Sequence, residues 1–292
     1  MRDLRAEIHE HDQDAEQSVT SLPNEMIYAD DSDFISTDIT RDEKIQNIAK
    51  PILERHSLIV NEDKWEKTTI TKGTAEEEKG WRNTKKLGSL LGDYEDMKRR
   101  EQLSTAVMKS TKKIWPTSKL RINKKLKIYK SIVKPILTYN MQTWGLTQAQ
   151  TEELDRIHRR QLRWVWNDRN KKNIDLYLQS KEVPLSNEMR NARWRALGHF
   201  LRLDVNTPCQ KAMKYYFEVP KNSKKYPGQQ KTTLPTVINN GIKACAKTHK
   251  LPVLKFENFA DLIVLKHIAS DRSKWSDLAS LICNIAKGKE RI

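Results

Sequence analysis

Three cysteines in 292 residues, Cys209, Cys245 and Cys283, are too few and too far apart for a disulfide scaffold. No C-x-x-C pair signals a zinc site either. Glycine and proline are scarce, nine and ten residues, which predicts few tight turns and many helices. No apolar run approaches the ~20 residues of a membrane span. The first residues, "MRDLRAEIHEHDQDAEQ", are acidic and polar and have the form of neither a signal nor a transit peptide. There is no internal repeat. The expectation is a reduced, intracellular chain, nuclear or cytoplasmic, with no membrane partner.

What the chain does hold is positive charge, unevenly placed. The formal charge is +16, yet residues 1–45 carry four cations against 13 acids, so the remainder stands at +25. A strongly basic body is the electrostatic footprint of a polyanion binder. Residues 112–172 concentrate it, with 16 cations and four acids. Lys124 and Lys125 lie in this stretch. Arg156, Arg159, Arg160 and Arg163 follow at spacings of three and four, which places them on one helix face. Such a face suits a phosphate backbone; the plain alternative is a solvated helix surface. Trp164 and Trp166 could stack on bases, but these, with Trp144, Trp194 and Trp275, read better as core anchors. His9, His11 and His199 read as structural.

The pattern of elements predicts an α+β chain, mostly α: a small antiparallel sheet followed by a basic helical bundle. Residues 1–23 read as a disordered acidic lead. Residues 26–36 read as a β-hairpin with Asp30 and Asp31 at or near its tip. A helix capped by Thr40 and containing Pro51 follows, then short strands at Ser57–Asn61 and Lys67–Lys72 and a charged loop at 73–80. "KKLGSLLG" (85–92) reads as strand and turn. Apolar stripes then predict helices: Met97, Leu103, Val107, Ile114 and Trp115; Ile122 to Leu137, interrupted by Pro135; and Leu154, Ile157, Leu162 and Val165, opened by a Thr147–Gln150 capping box. A fourth, capped by Ser186, carries Met189, Ala192, Ala196, Phe200 and Leu203. A Lys/Pro/Gly-rich linker spans 218–235, and a helical segment occupies 236–292, with Leu262, Ile263, Leu265 and Ile268 and then Trp275, Leu278, Leu281, Ile282 and Ile285.

Adjacent carboxylates repel, so Asp30 and Asp31 pose a question. A solvated turn answers it; so does a pair of metal ligands. Phosphoryl transfer needs divalent ions held by hard oxygen donors, and a hairpin tip aims two carboxylates at one point.

Tyr28-Ala29-Asp30-Asp31, then "LIVNEDK" (Leu58–Lys64), then Lys86-Leu87-Gly88 stand in an order that resembles the reverse transcriptases of non-LTR (LINE-type) retrotransposons. The likeness continues through "KIYKSIVKPILTYNMQTWGLT" (127–147), "LDRIHRRQLRWVW" (154–166), "RWRALGHFLR" (193–202) and "ASDRSKW" (269–275). It implies a partial palm at 24–92, with a palm-like sheet, and a thumb-like helical domain at 93–217. It implies RNA-directed DNA polymerisation on an RNA template and DNA primer, with Mg²⁺ on Asp30 and Asp31. Tyr28 would contact nucleic acid, Lys64 would serve the leaving pyrophosphate, and Leu87 and Gly88 would grip the primer end. Two positions depart from the family: Trp65 stands where Thr is usual, and Asn140 where Gly follows the Tyr of "LTY". The family's third metal-binding Asp and its nucleotide-binding Gln-Gly stretch precede the Tyr-x-Asp-Asp box. Here only Asp3, Asp12 and Asp14 precede it, outside any apolar strand. The expectation is a truncated, C-terminal piece, inactive alone; the alternative is a non-catalytic nucleic-acid-binding helical protein.

Overall fold

The computed structural model describes residues 25–28, 31–35, single positions and short runs between 43 and 61, residues 66–70, 77–218, 232–249 and 254–289. It is mostly helical, with two small antiparallel hairpins. Strands β1 (Glu25–Tyr28) and β2 (Asp31–Phe34) pair with Tyr28 opposite Asp31. Strands β3 (Lys85–Lys86) and β4 (Ser89–Leu90) form the second hairpin. The helices are α1 (Asp93–Ser110), α2 (Ile122–Ile128), α3 (Lys134–Leu137), α4 (Gln148–Trp166), α5 (Asn173–Ser180), α6 (Leu185–Leu201), α7 (Pro208–Glu218), α8 (Leu234–His249), α9 (Phe259–Ser270) and α10 (Arg272–Lys289). Among the described residues no helix is long and apolar enough to cross a membrane.

The chain divides into two compact units. One comprises residues 1–67 and 203–223, and so includes β1–β2 and α7. The other comprises 68–202 and 224–292, and so includes β3–β4 and the other helices. In the first, Glu43, Asn47, Lys50, Pro51 and residues 53–55 are helical, as expected, while the expected cap Thr40 lies outside the described residues. The two short strands expected next are not seen at their described positions, 57, 59, 61 and 67–70. Ser57 closes a turn onto the Glu54 carbonyl at 3.0 Å, Ile59 is 94% exposed, and residues 66–70 are irregular. Apolar β-branched residues there lack a partner strand among the described residues. The expected charged loop holds a 3₁₀ helix at Glu77–Asn83. Most of the 218–235 linker, residues 219–231, lies outside the described residues.

Two apolar clusters build the helical unit. Met97, Leu137, Met141, Trp144, Leu146, Leu154, Ile157, Leu185 and Met189 form the first. Met108, Trp115, Leu126, Tyr129, Val133, Leu162, Val165 and Leu176 form the second. Helices α1 and α4 contribute early residues to the first cluster and late residues to the second, so they run parallel. Three contacts step along them in register: Lys98 Nζ to Glu153 at 2.6 Å, Arg160 to Glu101 at 2.6 Å, and Gln161 to Ser104 Oγ at 2.9 Å. Both halves of the Thr147–Gln150 capping box are made, which fixes the start of α4. Leu103 departs from the α1 stripe and is exposed; Met108 takes the core position. Ser186 is not the cap of α6. Its amide donates to Asp155 Oδ1 at 2.9 Å, and the helix begins two residues earlier than a Ser186 cap would place it, at Leu185 behind Pro184. Pro135 has no N–H for the Ser131 carbonyl, and the turn before it, Tyr129–Val133, widens into a π turn closed by Lys134 N–H on the Tyr129 carbonyl.

Helices α6 and α10 meet at Gly198. Trp275 Nε1 donates to the Trp194 carbonyl at 3.0 Å, and the two indoles lie 5.4 Å apart. A methyl at Gly198 would overlap the Trp275 ring. Helix propensity alone would make Gly198→Ala stabilising by about 1 kcal/mol. The expected outcome is the opposite, a loss of about 1–3 kcal/mol from overpacking, read by urea denaturation. A neutral or stabilised variant would contradict this packing.

Candidate nucleic-acid interface

The first hairpin is formed as expected. Two residues, Ala29 and Asp30, separate the strands, and Asp31 opens β2 directly across from Tyr28. Asp30 and Lys64 lie outside the described residues, as do the side chains of Tyr28 and Asp31. Among the described residues no group of three His, Cys, Asp or Glu could hold a metal ion.

The second hairpin is built from the inside out. Asp96, fully buried in the first turn of α1, accepts from the Leu90 amide at 3.0 Å and from Trp144 Nε1 at 3.1 Å. Its carboxylate pairs with Arg100 Nε at 3.5 Å, and Arg99 Nη1 stands 4.0 Å away. Both arginines then reach the hairpin tip. Arg99 donates to the Gly88 carbonyl at 2.9 Å and Arg100 Nη2 to the same oxygen. The Arg100 guanidinium lies 4.3 Å above the Tyr139 ring, whose hydroxyl donates to the Leu87 carbonyl at 3.0 Å. Leu87 and Gly88 sit at φ +46° and +81°, the paired positive values of a two-residue hairpin turn. With both carbonyls held inward, the Leu87 side chain is left half exposed.

Asn140 has φ +59°. That is the left-handed region glycine enters freely and asparagine tolerates. Its amide donates to Ser89 Oγ at 3.2 Å, a further tie to the same hairpin.

The arginine face of α4 is partly engaged within the molecule. Arg160 pairs with Glu101. Arg163 donates to the Lys171 carbonyl at 3.1 Å and to Asn173 Oδ1 at 2.6 Å. Arg159 is half-buried. Arg156 is exposed, with no partner among the described residues. Lys124 is likewise exposed. Lys125 is not a surface cation: it is buried, and its ammonium donates to the Trp115 carbonyl at 2.6 Å. It shares the buried face of α2 with Leu126. Trp144, Trp194 and Trp275 are core residues. Trp164 and Trp166 are half-buried, Trp166 donating to Ser180 Oγ at 2.8 Å beneath the Lys171 ammonium at 4.0 Å.

Behind this face lies a buried polar row. Glu182 pairs with Lys130 at 2.9 Å and with Lys134, which also reaches Glu188 at 2.6 Å. His158 is wholly buried, stacked near Tyr129 and tilted against Tyr177, with no hydrogen bond at either ring nitrogen; Glu182 Oε2 is 3.6 Å from Nε2. No motif in the sequence assigns a role to His158, Asp96, Arg99, Arg100 or Tyr139. The i,i+4 spacing of Asp96 and Arg100 was the one legible hint.

Compared with known protein families, curated proteins and solved structures, the chain matches none.

Burial, reinforced by the cations Lys134, Arg159 and Lys130, pushes the His158 imidazole from 6.5 down to about 3. The unfolded chain therefore binds more protons than the folded one between these values, and stability falls as pH drops through that window. Glu188 and Asp155, raised by burial, oppose this only nearer the carboxylate range. Between pH 6.5 and about 5 the expected slope from His158 is up to about 1.4 kcal/mol per pH unit. His158→Leu is expected to flatten it in urea unfolding; an unchanged slope would refute the neutral, unpaired histidine.

Proposed function

We propose that this chain carries palm-end and thumb segments of an RNA-directed DNA polymerase of the non-LTR retrotransposon type, binds an RNA template and DNA primer, and is inactive as the 292-residue chain. The observation that supports this reading is the register Tyr28↔Asp31, in which Asp31 opens β2 opposite the last residue of β1 across a two-residue connection. Asn140 supports it, because its positive φ is the backbone state that a family glycine serves.

The acid pair suits Mg²⁺ by donor chemistry, since both ligands are hard carboxylate oxygens. Asp30 and Asp31 would hold it. Such an ion, when bound, lowers the cost of ionising the attacking hydroxyl and offsets triphosphate charge. Lys64 would neutralise the departing pyrophosphate. Leu87, presented on a turn whose carbonyls are tied inward, would pack against the primer end beside Gly88. Two carboxylates without a third leave the reacting groups underdetermined, and a displacement of about 1 Å already costs ~10²-fold in rate.

The second reading, a non-catalytic nucleic-acid-binding protein, draws on the exposed Arg156 and Lys124. Primer extension on an RNA template with Mg²⁺ separates the outcomes. The expected result is no incorporation above the Asp30→Asn background, together with retained, salt-sensitive template binding. Incorporation that Asp30→Asn abolishes would overturn the inactivity.

A further inference from the structure

The arginine face of α4 is not the largest unpaired charge on the helical unit. No acid occurs from residue 102 to 151. Within that stretch, Lys112–Lys127 holds seven cations, of which only Lys125 turns inward. Lys112, Lys113, Lys119, Arg121, Lys124 and Lys127 are exposed, and their side-chain charges meet no acid or acceptor among the described residues.

They are also fixed in place. Trp115 lies in the middle of the segment and is wholly buried in the second cluster. Its indole donates to the Met108 carbonyl at 3.0 Å, and its own carbonyl accepts from Lys125. The loop is thereby stapled to the end of α1 on one side and to α2 on the other. The parallel run of α1 and α4 places their acids, Asp93, Glu95, Asp96, Glu101, Glu152, Glu153 and Asp155, toward the opposite end, around the first cluster.

The surface chemistry narrows the ligand. Between Leu103 and Ile132 no large apolar side chain is exposed. A protein partner or an inserting membrane helix would need apolar area here. Lysines dominate, and they act as point charges without the forked geometry that arginine offers to bases. We propose that this lysine cap, formed by the 111–121 loop and α2, is the main phosphate-backbone site of the chain, taking nucleic acid without regard to sequence, in place of the α4 arginine face. The proposal deepens the nucleic-acid reading above and rests on it.

The test uses the full chain and two triple variants: Lys119→Gln/Lys124→Gln/Lys127→Gln in the cap, and Arg156→Gln/Arg159→Gln/Arg160→Gln on α4. Affinity for a short fluorescent RNA–DNA duplex is measured between about 50 and 200 mM salt, where the slope of log affinity against log salt is about −0.9 per phosphate neutralised. The cap variant is expected to flatten the slope by about 2.7 and to weaken binding at least about tenfold, with an unchanged melting temperature. The α4 variant is expected to shift it by less than half as much. A flattened slope in the α4 variant with the cap variant unaffected would overturn the assignment while leaving nucleic-acid binding intact. A wild-type chain with no salt-dependent affinity would remove the nucleic-acid reading itself. Tighter binding to anionic phosphatidylserine vesicles than to the duplex would also overturn the assignment.

Discussion

One buried carboxylate joins the parts of the helical unit that the rest depends on. Asp96 holds the Leu90 amide of a hairpin, the Trp144 indole of a turn and the guanidinium of Arg100 at once. A buried charge is tolerated only when its partners are complete, and here each comes from a different segment. Arg100 passes the constraint outward by donating to Gly88 and covering Tyr139, so the conformation of the Leu87–Gly88 tip is set by a residue in the core. Tyr139 and Asn140 approach the same hairpin from the other side. The turn holds its positive φ values because four side chains leave its carbonyls and its Ser89 hydroxyl no simpler arrangement.

Charge in this unit follows a division of labour between the two cationic side chains. Several arginines are spent inside: Arg100 on the hairpin, Arg163 on the α4–α5 connection, and Arg193 on the Trp144 carbonyl at 2.6 Å. A planar fork can satisfy several acceptors in a confined space. Lysines, with compact, strongly hydrated ammonium groups, remain outside, except where a single carbonyl or a carboxylate pair waits, as for Lys125 and Lys134. The outcome is a bundle with acids near the start of α1 and α4 and a bare lysine cap near their ends. Phosphate binding of the kind proposed needs that polarity more than it needs any one residue.

The helices were legible wherever apolar residues repeat at 3.6 spacing beside a cap, as for α4 with Thr147 and Gln150. The strands were legible only where a tight turn closes them: both hairpins formed, while "SLIVN" and "KTTITK", apolar or β-branched but without a turn partner, did not form strands at their described positions. Which cations face solvent was the least legible feature. Lys124 and Lys125 are neighbours in sequence, yet one is exposed and the other buried, and of the four arginines on one face of α4, Arg160 meets Glu101 while Arg163 meets Lys171 and Asn173. Contacts between distant segments decided those cases, and a single sequence carries no trace of them. Asn140 is a further case: its left-handed backbone is set by the turn it occupies and was not legible in the sequence.

The account stands most directly on Asp96 acting as the joint between the Leu87–Gly88 hairpin and the helices. Backbone hydrogen exchange at Leu90, followed by NMR in the wild-type chain and in Asp96→Asn, measures that joint. Loss of a charge-assisted bond of about 1.5–3 kcal/mol should speed exchange at Leu90 roughly 10- to 100-fold, while amides in α10 keep their protection. Unchanged exchange at Leu90, or loosening spread evenly through α10, would contradict it.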